Sequence, residues 1–186
     1  MEDKALETLR TLFERRKMNT TTTRVDLDGL DRVNAYTLGN VLVIFSQKDK
    51  GVSDRDITNF LEAAETNGYS NGVVIVGMSK PSENVLKVIK SLAKKRIQFF
   101  WIWELQFDIT THRLYQPHRV LNEEEKAAVL KKYNAKQDQL MSIDSQDPPI
   151  KCIGAIPGDV IEVLRPSDVA GVRVVYRNCV EDTNVA

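Results

Sequence analysis

The sequence predicts an α/β unit with helices packed on a mixed sheet, followed by a smaller α+β unit. Three observations carry this. Between residues 4 and 105, stretches with helical and strand periodicity alternate in the order α-ββ-α-β-α-β, the pattern of a sheet with helices on its faces. A break rich in turn formers falls at Thr110 to Gln116. After it come one short helix and several short strands. The boundary is placed between residues 112 and 113, giving units 1–112 and 113–186 of a 186-residue chain. That length allows two small domains, each with a core.

Residues 4 to 17 read as a helix, because Ala5, Leu6, Leu9, Leu12 and Phe13 share one face. Asn19 and Thr20 to Thr23 break it and form a loop leading into a strand. Val33 to Leu38 and Val41 to Ser46 flank Gly39-Asn40, a two-residue turn pair, and form a hairpin. Ser53 caps the next helix, with Asp56 three residues on as a capping-box partner. Ile57, Phe60, Leu61 and Ala64 give that helix its buried stripe, and Asn67-Gly68 stops it. The β-branched run from Gly72 to Gly77 is a buried strand. Pro81 suits the first turn of a third helix, which Ser79 or Ser82 caps, with Val85, Val88, Ile89 and Leu92 as its apolar face. Ile97 to Leu105 reads as a strand with Phe99, Trp101, Trp103 and Leu105 on one side, and the two tryptophans belong to core or interdomain packing.

In the second unit, Asn122 with Glu125 signals the start of a helix over 122–133. Val160 to Leu164 is a strand that Arg165-Pro166 ends, since proline has no N–H for a ladder. Ser167 to Gly171 is a loop in which Gly171 takes positive φ, and Val172 to Tyr176 is the return strand. Residues 181–186 read as a frayed tail.

Composition limits the function. Lys+Arg and Asp+Glu both number 26, so the net charge is zero, whereas a free nucleic-acid binder is usually basic. No apolar run approaches the ~20 residues of a membrane span, and no signal peptide opens the chain. An intracellular protein without a membrane anchor is expected. Cys152 and Cys179 have no Cys or His at ligand spacing and read as reduced, partly buried thiols.

Catalytic constellations are missing. There is no phosphate-binding Gly-Lys loop and no Gly-x-Ser-x-Gly elbow. An α/β domain of this size invites comparison with restriction-endonuclease-type nucleases, which place paired carboxylates and a lysine on adjacent strands. Here Val41 to Ser46 and Val73 to Gly77 carry no carboxylate, Asp49 and Asp54 lie past the first strand without a partner, and Glu124-Glu125-Lys126 falls in a helix. His112 and His118 lack partners for metal or base chemistry and are expected to make hydrogen bonds at the domain junction or a subunit interface. No catalytic, metal or cofactor site is expected.

The one charge asymmetry is the stretch 80–96, where Lys80, Lys87, Lys90, Lys94, Lys95 and Arg96 oppose only Glu83. Lys87, Lys90 and Lys94 recur at helical spacing away from the apolar face. The stripe is either a solvated helix face or a surface that attracts phosphates without reading bases.

One longer motif is more specific. Gly158-Asp-Val-Ile-Glu-Val-Leu-Arg-Pro-Ser-Asp-Val-Ala-Gly171, followed by Tyr176-Arg177, resembles the C-terminal signature of the fifth-largest subunit shared by the three nuclear RNA polymerases, a family with archaeal counterparts that carry only the assembly part. Asp108 to His112, Pro117 to Leu121, Asp138-Gln139-Leu140 and Asp147-Pro148 agree, in the family's order. The resemblance covers residues 97–180 well and residues 1–96 by layout. Asp168-Val169, Val172-Arg173, Pro149 and Ile156-Pro157 depart from the usual pattern and mark a divergent member.

The resemblance implies an N-terminal jaw beside downstream DNA and a C-terminal assembly domain docked on the largest polymerase subunit, with no active site and no cofactor. It implies a subunit interface through Pro117, His118, Arg119, Val120, Gly158, Arg165, Ser167, Gly171, Tyr176 and Arg177. It places Lys80, Pro81 and Ser82 at a loop near DNA, with Lys87, Lys90 and Lys94 beside it. The expected location is the nucleus, or a viral factory or virion for a viral source. Two other readings remain at this point: a stand-alone nuclease-like DNA-binding module without catalytic residues, and a protein-interaction scaffold outside transcription.

Overall fold

The computed structural model describes residues 1–27, 30–48, 51–69, 72–92 and 96–181, and the chain divides into two compact units, Met1–Asp108 and Ile109–Ala186. The first runs α1 (Glu2–Arg15), β1 (Thr22–Val25), β2 (Val33–Leu38), β3 (Val41–Ser46), α2 (Asp54–Thr66), β4 (Val73–Gly77), α3 (Glu83–Ser91) and β5 (Ile97–Trp101). Its sheet has the order β1-β2-β3-β4-β5, antiparallel from β1 to β3 and parallel from β3 to β5. The mixed sheet is as expected. The strand β1 is not: Thr22 and Thr23, expected in a loop, pair with Leu38 and Thr37, a role that suits β-branched threonines at an exposed edge.

The strands β3 and β4 are buried along their whole length because both faces are covered. Ile57, Phe60, Leu61 and Ala64 of α2 and Val85 and Ile89 of α3 pack with Leu42, Ile44, Ile75 and Phe99 on one face. Helix α1 buries Ala5, Leu9, Leu12 and Phe13. Its ends are tied to side chains that alternate onto the other face: Asn34 Nδ2 donates to Glu2 Oε2 at 2.8 Å, and Arg16 donates to Gln98 Oε1 at 3.1 Å.

Two further expectations about this unit need correction. The last strand ends at Trp101, and Ile102–Leu105 is one turn of 3-10 helix. Its start is fixed by the Trp101 N–H, which donates to Glu104 Oε2 at 3.3 Å. The turn buries Ile102 and Leu105 but leaves Trp103 52% exposed, so Trp103 is not a core residue. Over four residues, alternation and a three-residue period look alike. Pro81 lies ahead of the α3 cap instead of in its first turn. The cap is Ser82, whose hydroxyl accepts from the Val85 N–H at 3.4 Å; proline has no side-chain acceptor for that task.

The α2 cap has the expected form and an addition. Ser53 and Asp56 form a capping box, and Lys48 Nζ donates to Asp56 Oδ1 at 2.6 Å. Burial pushes the Asp56 carboxyl up, but the hydrogen bonds from Lys48 and Ser53 outweigh it and hold the carboxyl below its ordinary value. Its contribution to stability is therefore full above the unfolded Asp range and is lost as pH falls through the lower folded value, below about pH 4. Asp56→Asn is expected to destabilise this unit by roughly 1–2 kcal/mol at neutral pH. Urea melts should show the wild-type advantage shrinking toward about pH 3, and an unchanged difference there would contradict the assignment.

The second unit runs β6 (His118–Val120), α4 (Glu123–Tyr133), β7 (Met141–Asp144), α5 (Pro148–Ile153), β8 (Val160–Ser167) and β9 (Gly171–Val180). Its sheet has the order β6-β8-β9-β7, with β7 parallel to β9 and the other pairs antiparallel. Ile143, Ile150, Ala155, Ile161, Val163 and Cys179 form a core on one face. Leu121, Val129 and Val160 pack on the other. The capping box of Asn122 and Glu125 is present. Helix α5 departs from the expectation of one helix and short strands: Pro148-Pro149 opens it, as prolines are compatible with a first helical turn.

The strand β8 does not stop at Arg165-Pro166 but continues to Ser167. The Leu164 N–H points to the β6 side, donating to the Pro117 carbonyl at 3.0 Å. By the two-residue period the position of the missing Pro166 N–H is on that same side. There β6 has already ended, so the ladder to β9 loses nothing. The tail residues 182–186 lie outside the described residues.

Candidate subunit and DNA interfaces

The structure gathers Pro117, His118, Arg165 and Arg177 toward one region of the second unit. His118 pairs with Val163, beside the Leu164–Pro117 hydrogen bond. The half-buried His118 ring donates from Nδ1 to the Gln116 carbonyl. Burial lowers its pKa; the Gln116 carbonyl and Asp147 pull the other way, and Arg165 and Arg177 add to the lowering. Arg165 Nε donates to Gln116 Oε1 at 3.0 Å, and Arg177 Nη1 donates to the Ser142 carbonyl at 2.9 Å. His112, the other histidine, is exposed, and its Nδ1 accepts from the Leu114 N–H at 3.2 Å.

Arg119 is held within the chain. Its Nη1 donates to both Glu125 oxygens at 2.8 and 2.9 Å, and its Nε and Nη2 donate to Glu162 Oε1 at 3.2 and 3.1 Å. It pins β6 to α4 and β8. Val120 faces the core. Tyr176 is on the opposite face of β9 from Arg177, 6.0 Å from the Tyr133 ring. Gly158 lies near the far end of β8, where its carbonyl accepts from Gln137 Nε2 at 2.7 Å and Lys126 Nζ at 3.3 Å. It is therefore remote from Ser167 and Gly171 at the hairpin tip.

Gly171 has φ +68°, and a Cβ there would meet nothing within 4 Å. Substitution strains the backbone without a clash. Gly171→Val is expected to cost roughly 1–3 kcal/mol and to shift the tip that carries Ser167 and Val169. Thermal unfolding of the second unit measures this, and a melting temperature equal to wild type would contradict it. Sequence reasoning passed over three residues at this hairpin: Arg173, directly opposite Arg165, and the exposed Val172 and Val174. The signal was the alternation of Val172, Val174 and Tyr176 with Arg173 and Arg177.

In the first unit, Lys80 is exposed, with Nζ 5.2 Å from the centre of the Trp101 ring. The Trp101 indole N–H donates to the Met78 carbonyl at 3.0 Å. Ser82 is occupied as the α3 cap. Lys87 is exposed and Lys90 half-buried, one turn apart on α3. Lys94 lies outside the described residues.

Among the described residues, the carboxylates that a nuclease reading would draw on lie apart or are engaged. Asp54 sits exposed in the first turn of α2, Asp56 is engaged by Lys48 and Ser53, and Asp49 lies outside the described residues. Glu125 is taken by Arg119 and the Asn122 N–H. Among the described residues no group of three or more His, Cys, Asp or Glu side chains is gathered to hold a metal ion. The purified chain is expected to leave DNA intact with magnesium or manganese; cleavage that co-elutes with it and is lost on substituting Asp54 would overturn this. Cys152 and Cys179 are buried thiols, and burial pushes the Cys179 thiol up to about 12. No helix among the described residues is long and apolar enough to cross a membrane.

Residues 107–179 match the family model described as RNA polymerase Rpb5, C-terminal domain. The DNA-directed RNA polymerase subunit Rpo5 of Thermococcus onnurineus is 49% identical over 77 residues, which is 41% of this chain and 94% of that protein. The subunit RPABC1 of DNA-directed RNA polymerases I, II and III from Caenorhabditis briggsae is 28% identical over 175 residues, covering 94% of this chain and 82% of that protein. Its counterpart from Caenorhabditis elegans is 27% identical over 175 residues. A hairpin closed by a glycine at positive φ, a sheet face gathering two arginines and a histidine, and near-complete coverage of the archaeal relative at 49% identity lead to one conclusion: the chain belongs to the Rpb5 family of RNA polymerase subunits.

Proposed function

We infer that this protein is a non-catalytic structural subunit of a DNA-directed RNA polymerase, working beside other polymerase subunits in transcription. The observation that carries the reading is the 49% identity to a polymerase subunit over 94% of that subunit's length. Nucleotide transfer belongs to other subunits, so the chain needs no cofactor of its own. A nuclear location fits the relatives named for polymerases I, II and III.

Within that role the second unit acts as the assembly domain. It docks on the largest subunit through Pro117, His118, Arg165 and Arg177 and through the hairpin tip at Ser167 and Gly171. What supports this is the cationic surface around His118 and the exposed apolar residues of the hairpin, with Val169 98% and Val172 61% exposed. The first unit acts as a jaw of restriction-endonuclease type near downstream DNA. Lys80, Lys87 and Lys90 present charge that attracts phosphates without reading sequence. Affinity purification of the tagged chain with identification of the retained proteins tests the reading. The largest polymerase subunits should be recovered in equal molar amount; their absence would overturn it.

A further inference from the structure

The outer half of the β8–β9 hairpin is a ribbon with one bare edge. On one side β9 pairs with β8 along its length; on the other, β7 pairs with it only from Arg177 to Val180. Among the described residues no strand pairs with the outward edge from Gly171 to Tyr176. The direction of the backbone groups follows from two bonds. The Cys179 N–H donates toward the β8 side, to the Asp159 carbonyl, whereas the Val180 carbonyl accepts from Ser145 on the β7 side. Backbone groups alternate along a strand. Val174 and Tyr176 therefore turn theirs to that side; the Val172 N–H is taken by the Ala170 carbonyl at 2.8 Å, and Val174 presents both an N–H and a carbonyl to the bare edge.

The side chains along this edge are sorted by face. Val172 and Val174 are 61% and 43% exposed on one face. On the other, Arg173 stands directly opposite Arg165. Like charges directly opposed across a ladder are unfavourable. Among the described residues no carboxylate is ion-paired with either arginine; Arg165 instead donates to the neutral amide of Gln116. An unpaired strand edge is a template for another strand, and this one has an apolar face and a cationic face.

We propose that this edge receives an extended segment of another polymerase subunit as an added strand, its acidic side chains on the Arg165–Arg173 face and its apolar ones on the Val172–Val174 face. The proposal rests on the polymerase-subunit reading above. Main-chain hydrogen bonds supply affinity in such an arrangement, and the alternating side chains supply selectivity.

The test uses the full chain co-expressed with the polymerase subunits. Val174→Pro removes only the outward N–H and leaves the β8–β9 ladder intact, as Pro166 does on β8; Val174→Thr keeps the N–H. Recovery with the polymerase is expected to fall about tenfold for Val174→Pro and to stay within about twofold for Val174→Thr. Arg173→Glu should weaken recovery most at low salt. Hydrogen exchange on the wild-type complex, which needs no variant to fold, should show the Val174 amide protected in the complex and exposed in the free chain. Equal recovery of the two Val174 variants, or an unprotected amide in the complex, would overturn the added strand while leaving the polymerase reading in place. A dimer of the free chain that Val174→Pro disperses would assign the edge to a second copy and defeat the proposal. Wild-type chain that recovers no polymerase subunit would defeat the underlying reading.

Discussion

Phe60→Ala is expected to unfold the first unit while the second stays folded and still enters the polymerase. Phe60 is 1% exposed and packs among residues of α2, α3 and the sheet. Removing a buried phenylalanine ring costs roughly 3–5 kcal/mol, a large part of what a domain of this size has to spare. The second unit has its own cores around Ile150, Ile161 and Cys179 and around Leu121, Val129 and Val160. The archaeal relative supports its independence, since a 77-residue match makes up 94% of that protein. Limited proteolysis should leave a protected fragment starting near Ile109, and that fragment should co-purify with polymerase subunits. Loss of both units together would show that they fold as one.

Changing Lys80, Lys87 and Lys90 to glutamate should shorten the retention of downstream duplex by an assembled polymerase, by about tenfold at low salt and little at high salt. Each substitution turns a positive charge into a negative one, and charge on an exposed face acts over a Debye length of about 8 Å at physiological ionic strength. Lys80 and Lys87 are exposed, and Lys80 loses its approach to the Trp101 ring at 5.2 Å, a contact at the surface. Folding and subunit recovery should therefore be unchanged. Elongation complexes as durable as wild type at low salt would make the stripe a solvated face, and a failure of assembly would make it a protein interface.

What could be read from the sequence was what depends on neighbours along the chain. The boxes of Ser53 with Asp56 and Asn122 with Glu125 are encoded within four residues, and both are present. The positive φ of Gly171 followed from a short loop between two strands. The features that were missed depend on distant pairing. Trp103 continues an apolar alternation, but Glu104 captures the Trp101 N–H and turns the chain out of the sheet. Pro166 stays in its strand because β6 ends before reaching it, which only the register reveals. The Arg119 bridge to Glu125 and Glu162 likewise joins residues as far as 43 positions apart. Arg165 and Arg173 become an unrelieved like-charge pair only once the hairpin register is known.

The proposed docking would place the hairpin tip of this chain against the largest subunit of a polymerase. Val169 at that tip is 98% exposed, so a photo-crosslinking residue placed there leaves the fold intact and samples whatever covers it. Irradiation of the purified assembly should give one dominant covalent product, joining this chain to the largest subunit. A product formed with no polymerase subunit, or recovery of the chain only in its free form, would contradict the account.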